Sequence, residues 1–304
     1  MSRLNVNICG VAFKNPVIAA SGTFGFGREY NELYPIARLG GISSKGMTIR
    51  EKAGNPPPRI AETPDGILNS VGLQNPGVDH FIREDLPWLK EQDVVVIANI
   101  AGATEEDYAA IAEKVNDSGV DMVELNISCP NVKAGGAAFG TSCAGAERIT
   151  AIVRQHCPDK PLMVKLSPNV TSITDIAKAV EAAGADCISL INTLLGMRID
   201  IRTRRPILRN NKGGLSGAAV FPVAVRMVSE VYNAVKVPVI GLGGICTWQD
   251  AIEMTLAGAS AIQVGTAMFT DPFAPLSIID GMEQYLADNG IANISELVGQ
   301  VALW

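Results

Sequence analysis

The strongest constraint on this chain is a unit that recurs along its whole length: a short apolar run rich in β-branched and small residues, a loop, then an amphipathic helical stretch. The runs are Pro16–Ser21, Gly41–Lys45, Val94–Ile100, Met122–Ser128, Leu162–Ser167, Cys187–Thr193, Val237–Gly243 and Ala261–Thr266. Helical stretches between them include Glu105–Ser118, Ile173–Ala183, Phe221–Ala234 and Trp248–Ala257. Gly119, Gly184 and Gly258 close three of these, as helix C-caps favour. Strict alternation requires parallel strands, because each helix carries the chain back to the start of the sheet. Eight strands with nearly as many helices predict a (β/α)8 TIM barrel rather than an open doubly wound sheet, which would carry G-x-G-x-x-G after its first strand; this chain has no such motif. Nothing reads as an interdomain linker, so residues 1–304 are expected to form one domain. Long insertions, Thr48–Pro76 and Leu194–Gly214, follow the second and sixth strands, and connections of that length usually carry function.

Composition supports this architecture and narrows the partners. The chain is 47% hydrophobic and only 5% aromatic, so aliphatic residues and glycine build its core, as suits strands covered on both faces. A formal charge of −6 and the absence of a Lys/Arg run argue against nucleic acid or an anionic membrane as partner. The amino terminus lacks the apolar core of a signal peptide, and no stretch is long and apolar enough to span a bilayer, which predicts a soluble cytoplasmic protein. The six cysteines (Cys9, Cys129, Cys143, Cys157, Cys187 and Cys246) form no C-x-x-C pair, so no zinc or iron–sulfur site is expected and the thiols should be free. His80 and His156 have no partner at ligand spacing and read as structural.

In a barrel of this kind the active site is built from the carboxyl ends of the strands. Here those ends are polar or bare: Ala20-Ser21-Gly22, Ser44-Lys45-Gly46, Asn99, Asn126 with Cys129, Lys165 with Ser167, Asn192-Thr193, Gly243-Gly244 and Gly265-Thr266. The stretch 124–131 is the densest. Val123, Leu125 and Ile127 alternate with polar neighbours, Asn126 and Ser128 share a face, and Pro130 ends the ladder just past Cys129. Cys129 is then either a thiol in a site or one more small buried hydrophobe. Lys165, in an apolar strand, is costly unless its ammonium meets an anion or lines a cavity; the alternative is a lysine snorkelling to the rim. The glycines at the last two strand ends, with Gly213-Gly-Leu-Ser-Gly217, leave backbone N–H groups bare where barrels commonly hold a phosphate, although tight turns alone also demand glycine.

Several motifs together resemble the class 1 dihydroorotate dehydrogenases: Asn-Ile-Ser-Cys-Pro-Asn at 126–131, Asn-Ser-Val-Gly-Leu at 69–73, Ser-Lys-Gly at 44–46, Val-Lys-Leu-Ser-Pro at 164–168, Ile-Asn-Thr at 191–193 and the Gly-Leu-Gly-Gly-Ile turn. The resemblance covers essentially the whole chain, and segment 131–140 is similar to the catalytic subunit of subtype 1B. The membrane-associated class has serine where this chain has Cys129, and an amino-terminal extension that is not seen here.

That resemblance implies one non-covalent FMN across the barrel mouth. Its phosphate would lie on Gly217, Gly243, Gly244, Gly265 and Thr266, and its ring near Ala20, Ser21, Gly22, Lys45, Gly46, Asn99, Asn126 and Ile191, with Lys165 at the N1/C2 edge. It implies that dihydroorotate is held by Lys45, Asn69, Asn126, Asn131 and Asn192, with Ser70, Val71, Gly72, Leu73 and Thr193 around it. Cys129 would remove the C5 proton while C6 gives hydride to flavin N5. Orotate would be the product, in pyrimidine biosynthesis. Electrons would continue to NAD⁺ through a partner subunit carrying FAD and [2Fe–2S], in a heterotetramer built on a homodimer of this chain. Three other readings remain at this point: a dihydropyrimidine dehydrogenase-like enzyme, an aldolase using Lys165 as a Schiff-base amine, and a non-catalytic barrel.

Overall fold

Each apolar run folds as a short strand buried on both faces: β1 Val17–Ala19, β2 Gly41–Ser43, β3 Val95–Ile100, β4 Met122–Asn126, β5 Leu162–Lys165, β6 Cys187–Leu190, β7 Val239–Leu242 and β8 Ala259–Val264. The computed structural model describes residues 2–127 and 136–304. Every strand pairs in parallel with its sequence neighbours, and β8 returns to β1, where Ile262 faces Val17, so the sheet closes into a barrel. Most strands stop sooner than their apolar runs. Ala20, Lys45, Ser167 and Thr193 lie beyond the ladder, at the mouth. β8 instead begins early, at Ala259, which pairs with Val239 before an irregularity in register.

The outward strand faces and the helices share the main core, which includes Val96, Val123, Val164, Ile188 and Ile262, all fully buried. The helices Glu105–Asn116, Cys143–His156, Ile173–Ala182 and Trp248–Leu256 each begin at a serine or threonine (Thr104, Ser142, Ser172, Thr247) whose hydroxyl accepts an orphan backbone N–H, which fixes where each helix starts. Gly184 and Gly258 follow their helices with φ of 100° and 126°, as expected. Gly119 does not take this role. Its helix ends earlier, at Asp117, where the Ser118 hydroxyl donates to the Val115 carbonyl at 2.7 Å and closes the last turn without a left-handed residue.

The two ends of the barrel are closed differently. At the amino-terminal end a hairpin, Val6–Ile8 and Val11–Phe13, turns at Cys9-Gly10, both with positive φ, as two-residue hairpin turns favour. Its Ile8 and Phe13 seal an apolar cluster made of Ile18, Ile97, Met122, Met163, Cys187, Ile240 and Ala261. At the mouth the two insertions join. Leu194–Gly196, Gly213–Ser216, Gly66–Asn69 and Ile60–Thr63 form one antiparallel sheet in that order, with Asn69 opposite Gly214. The insertions are therefore paired strands rather than independent loops.

Candidate active site

Side chains of a strand alternate between its faces, so barrel-facing residues recur at every second position. Stepping two residues along the strands changes the chemistry: Ile97 gives way to Asn99, Met122 to Glu124, Met163 to Lys165, Cys187 to Ser189 and Ala261 to Gln263. The upper set, with Ser43, forms one hydrogen-bonded cluster centred on Glu124. Oε2 accepts from Ser43 Oγ and Asn99 Nδ2, both at 2.6 Å, and Oε1 accepts from Gln263 Nε2 at 2.7 Å and Ser189 Oγ at 2.9 Å. Lys165 Nζ lies 3.9 Å from Oε2, and it donates to Ser21 Oγ at 3.3 Å and Gln263 Oε1 at 3.4 Å.

Glu124 is 0% exposed and Lys165 is 4% exposed. Burial alone would raise the Glu124 carboxyl. The Lys165 ammonium and the hydrogen bonds from Ser43, Gln263 and Asn99 outweigh it and leave the group below the usual carboxylate range. Desolvation draws the Lys165 ammonium below the ordinary lysine range, with Glu124 pulling the other way. The anion that a lysine in this strand requires is thus present, and the rim-snorkelling alternative is excluded. Glu124 and Gln263 were not singled out from sequence. The signal that could have found them is the inward period of two, which puts Glu124 on the same face as Asn126.

Above this layer opens a cavity of ≈ 420 Å³. Its walls bring together Ala20, Ser21 and Gly22 after β1, Lys45 and Gly46 after β2, Asn99 of β3, Asn126 of β4, Lys165 of β5, and Ile191, Asn192 and Thr193 after β6. Gly243, Gly244, Gly265 and Thr266 contribute from just after β7 and β8, and the sheet over the mouth supplies Asn69, with Gly217 just past its strand Gly213–Ser216 and Val71, Gly72 and Leu73 after Asn69. Ser70 does not line it: this side chain is fully buried, with Oγ unpaired. Cys129 and Asn131 lie outside the described residues, as do Ser128 and Pro130. Arg59 and Phe269, not anticipated, also line the cavity.

Charge in the cavity is one-sided. Lys45, Lys165 and Arg59 line it, and no aspartate or glutamate does among the described residues, so a net-acidic chain encloses a cationic chamber. Bare backbone is enforced at its far end. A Cβ on Gly244 (φ +77°) would lie 2.7 Å from the Phe221 backbone nitrogen, and one on Gly217 (φ +113°) 2.5 Å from Gly66 Cα. Thr266 Oγ1 donates to Ser216 Oγ at 2.8 Å, tying the β8 end to the overlying sheet. Beside Gly46 of the cavity wall, Asn99 Oδ1 is buried with no hydrogen-bond partner among the described residues, near enough that a Cβ on Gly46 would come within 2.9 Å of it. An acceptor left so is costly unless a ligand donor meets it.

A family model described as "Dihydroorotate dehydrogenase" matches residues 3–286. The chain belongs to the dihydroorotate dehydrogenase family. It is 54% identical over 303 residues, 99% of this chain and 100% of the relative, to the Alkaliphilus oremlandii protein described as "Dihydroorotate dehydrogenase B (NAD(+)), catalytic subunit". Proteins of the same description from Petrotoga mobilis and Brachyspira hyodysenteriae are 54% and 51% identical, covering 97% and 100% of this chain and 98% and 100% of the relatives. Within this dihydroorotate dehydrogenase-family chain no helix is long and apolar enough to cross a membrane, and no cluster of histidine, cysteine and carboxylates could hold a metal, among the described residues. His156 Nδ1 sits 2.7 Å from Glu113 Oε1, a carboxylate the fold brings from 43 residues away, whereas His80 Nε2 lies 3.8 Å from Asp85 Oδ2, a neighbour along the same helical segment. Of the other cysteines, Cys143 is exposed, Cys157 and Cys187 are buried, and Cys9 and Cys246 are half-buried, Cys246 at the cavity edge.

Proposed function

We propose that this chain oxidises dihydroorotate to orotate in pyrimidine biosynthesis as an FMN-dependent, NAD⁺-linked dehydrogenase subunit. The cationic chamber carries the reading. Its contents must be anionic and rich in alternating donors and acceptors, which describes a phosphate-bearing flavin stacked on a pyrimidine carboxylate. The residues fit the cofactor: the bare backbone at Gly217, Gly243, Gly244, Gly265 and Thr266 suits a phosphate, and the unpaired Asn99 Oδ1 suits a ring N–H. FMN, when bound, supplies the hydride acceptor. Lys165 offers a fixed ammonium to negative charge developing at the ring's N1/C2 edge, without reorganisation. Ala20, Ser21, Gly22, Gly46 and Ile191 shape the ring's bed. Lys45 binds the substrate carboxylate, while Asn69, Asn126, Asn131 and Asn192 read the ring amides, each offering both a donor and an acceptor. Val71, Gly72, Leu73 and Thr193 close around the substrate, and Ser70, buried, anchors that segment by its backbone, donating N–H to the Arg59 carbonyl and accepting from Asn55 Nδ2. Cys129 is the base for the C5 proton.

The names of the relatives support the rest. A catalytic subunit linked to NAD⁺ that lacks a dinucleotide fingerprint needs an electron-transfer partner, which we assign as an FAD- and [2Fe–2S]-carrying subunit around a homodimer of this chain, in the cytoplasm. The test is direct. The purified chain should be yellow, release FMN and no FAD on acid extraction, be bleached anaerobically by dihydroorotate, and fail to reduce NAD⁺ at full rate alone. Recovery of FAD or no flavin would overturn the reading. Cys129→Ala should retain FMN while slowing its reduction by on the order of 10²–10⁴, the usual worth of a positioned base.

A further inference from the structure

Glu124 lies one layer below the cavity and does not line it, so it touches neither cofactor nor substrate in the reading above. Its cost is nevertheless high: a fully buried carboxylate served by four donors from four different strands. A structural core has cheaper fillings, since apolar residues of similar volume often replace a buried ion pair without loss of stability. The neighbouring layer of this barrel uses them.

We infer that Glu124 is a positioning residue for the proposed reaction: it keeps the Lys165 ammonium charged and fixed at the flavin's N1/C2 edge. The inference rests on the flavin reading and deepens it. Both oxygens of Glu124 already accept two hydrogen bonds each, an arrangement that suits an anion and leaves little place for a carboxyl proton. Among the described residues Lys165 is the cation within ion-pair reach of it. At 3.9 Å the pairing is Coulombic rather than a hydrogen bond, so the ammonium's donors go elsewhere. Ser21 Oγ and Gln263 Oε1 take two of them at 3.3 and 3.4 Å, which leaves donor capacity for a group in the cavity. Gln263 joins the two charges, donating its amide N–H to Glu124 and accepting from Lys165 at its carbonyl, and so fixes their relative position. Without the carboxylate, the ammonium would stand in a nearly closed site beside neutral groups, in a cavity also lined by the cations Lys45 and Arg59 and by no aspartate or glutamate among the described residues. Such a lysine sheds its proton, and a neutral amine cannot meet charge developing on the ring.

Reduction of FMN would then draw a proton onto Lys165 that wild-type enzyme already holds. The experiment is a spectroscopic redox titration of bound FMN over a range of pH, on wild type, Glu124→Gln, Lys165→Met and the double variant. Glu124→Gln is expected to keep FMN, to take up an additional proton per two-electron reduction relative to wild type, and to be bleached by dihydroorotate roughly 10- to 100-fold more slowly. In the Lys165→Met background the same change should alter neither quantity, because Glu124 acts through Lys165. Wild-type proton uptake in Glu124→Gln, or an equal slowing with Lys165 absent, would overturn the inference. If Glu124→Gln alone fails to fold, the double variant, with neither charge, should fold and bind FMN; failure of both while Lys165→Met folds would make Glu124 merely structural. Wild-type protein without flavin would instead overturn the flavin reading, before any variant is compared.

Discussion

Ile97, Met122, Met163, Cys187 and Ala261, and two residues further along the same strands Asn99, Glu124, Lys165, Ser189 and Gln263, form adjacent layers of one barrel interior. The lower layer is sealed by the amino-terminal hairpin and makes no polar demand. The upper layer is as deeply buried, yet every member is polar and the set includes a carboxylate and an ammonium. Burial therefore does not separate core from site in this molecule. What separates them is whether a polar layer opens upward on a cavity. The lower layer provides stability, and the upper one uses part of that stability to hold charge away from water.

Moving a charge across the boundary should produce the largest effect. Met163→Lys places an ammonium in the apolar layer with no anion, and is expected to cost roughly 3–5 kcal/mol, enough to unfold many domains of ordinary stability; chemical denaturation measures it. Retention of near wild-type stability would mean that the lower layer can recruit a counter-ion or water. The reverse change, Lys165→Met, should leave a folded protein that binds FMN but is reduced by dihydroorotate on the order of 10²–10³ times more slowly in anaerobic stopped flow. A fall in stability as large as that of Met163→Lys would erase the distinction between the layers. Gly244→Ala tests the rim above both. With φ at +77° and a Cβ 2.7 Å from the Phe221 nitrogen, the backbone must shift. A loss of about 1–3 kcal/mol is expected, together with weakened FMN binding by equilibrium dialysis.

The smallest effect concerns acid. Because the folded-state pKa of Glu124 lies below the ordinary carboxylate value, its contribution to stability is fully present above about pH 4.3 and is lost as pH falls through the lower folded value. Wild type should therefore lose stability more steeply than Glu124→Gln as pH falls below about 4.3, as melting temperatures will record. Parallel slopes would mean that the carboxyl is not held as an anion in the fold.

Much of this was legible in the sequence. The eight strands are mostly apolar, so their runs stand out from the helices, and the glycines and polar residues gathered at the strand ends mark the mouth. Lys165 announced by its cost either an anion or a cavity, and the fold supplies both. Glu124 itself stayed hidden, because a single glutamate between Val123 and Leu125 looks the same whether it faces water or the barrel axis; only closure brings Ser43, Ser189 and Gln263 to it from sequence distances of 81, 65 and 139 residues. The pairing of the insertions was hidden for the same reason. Thr48–Pro76 and Leu194–Gly214 each read as a long loop, since half of a sheet carries no sign of the other half.

The sheet over the mouth also sets an order of events as the chain folds. Asn69 and its partner Gly214 are 145 residues apart, and β8 must travel back to β1 before the barrel closes. Contacts of such separation form late and slowly, after local helices and neighbouring strands. During synthesis the Ile60–Thr63 and Gly66–Asn69 hairpin must wait as an unpaired edge until Gly213–Ser216 has emerged. The chamber proposed for flavin and pyrimidine is thus among the last shapes this polypeptide acquires, and on that reading a nascent chain that ends before Gly213 would hold neither.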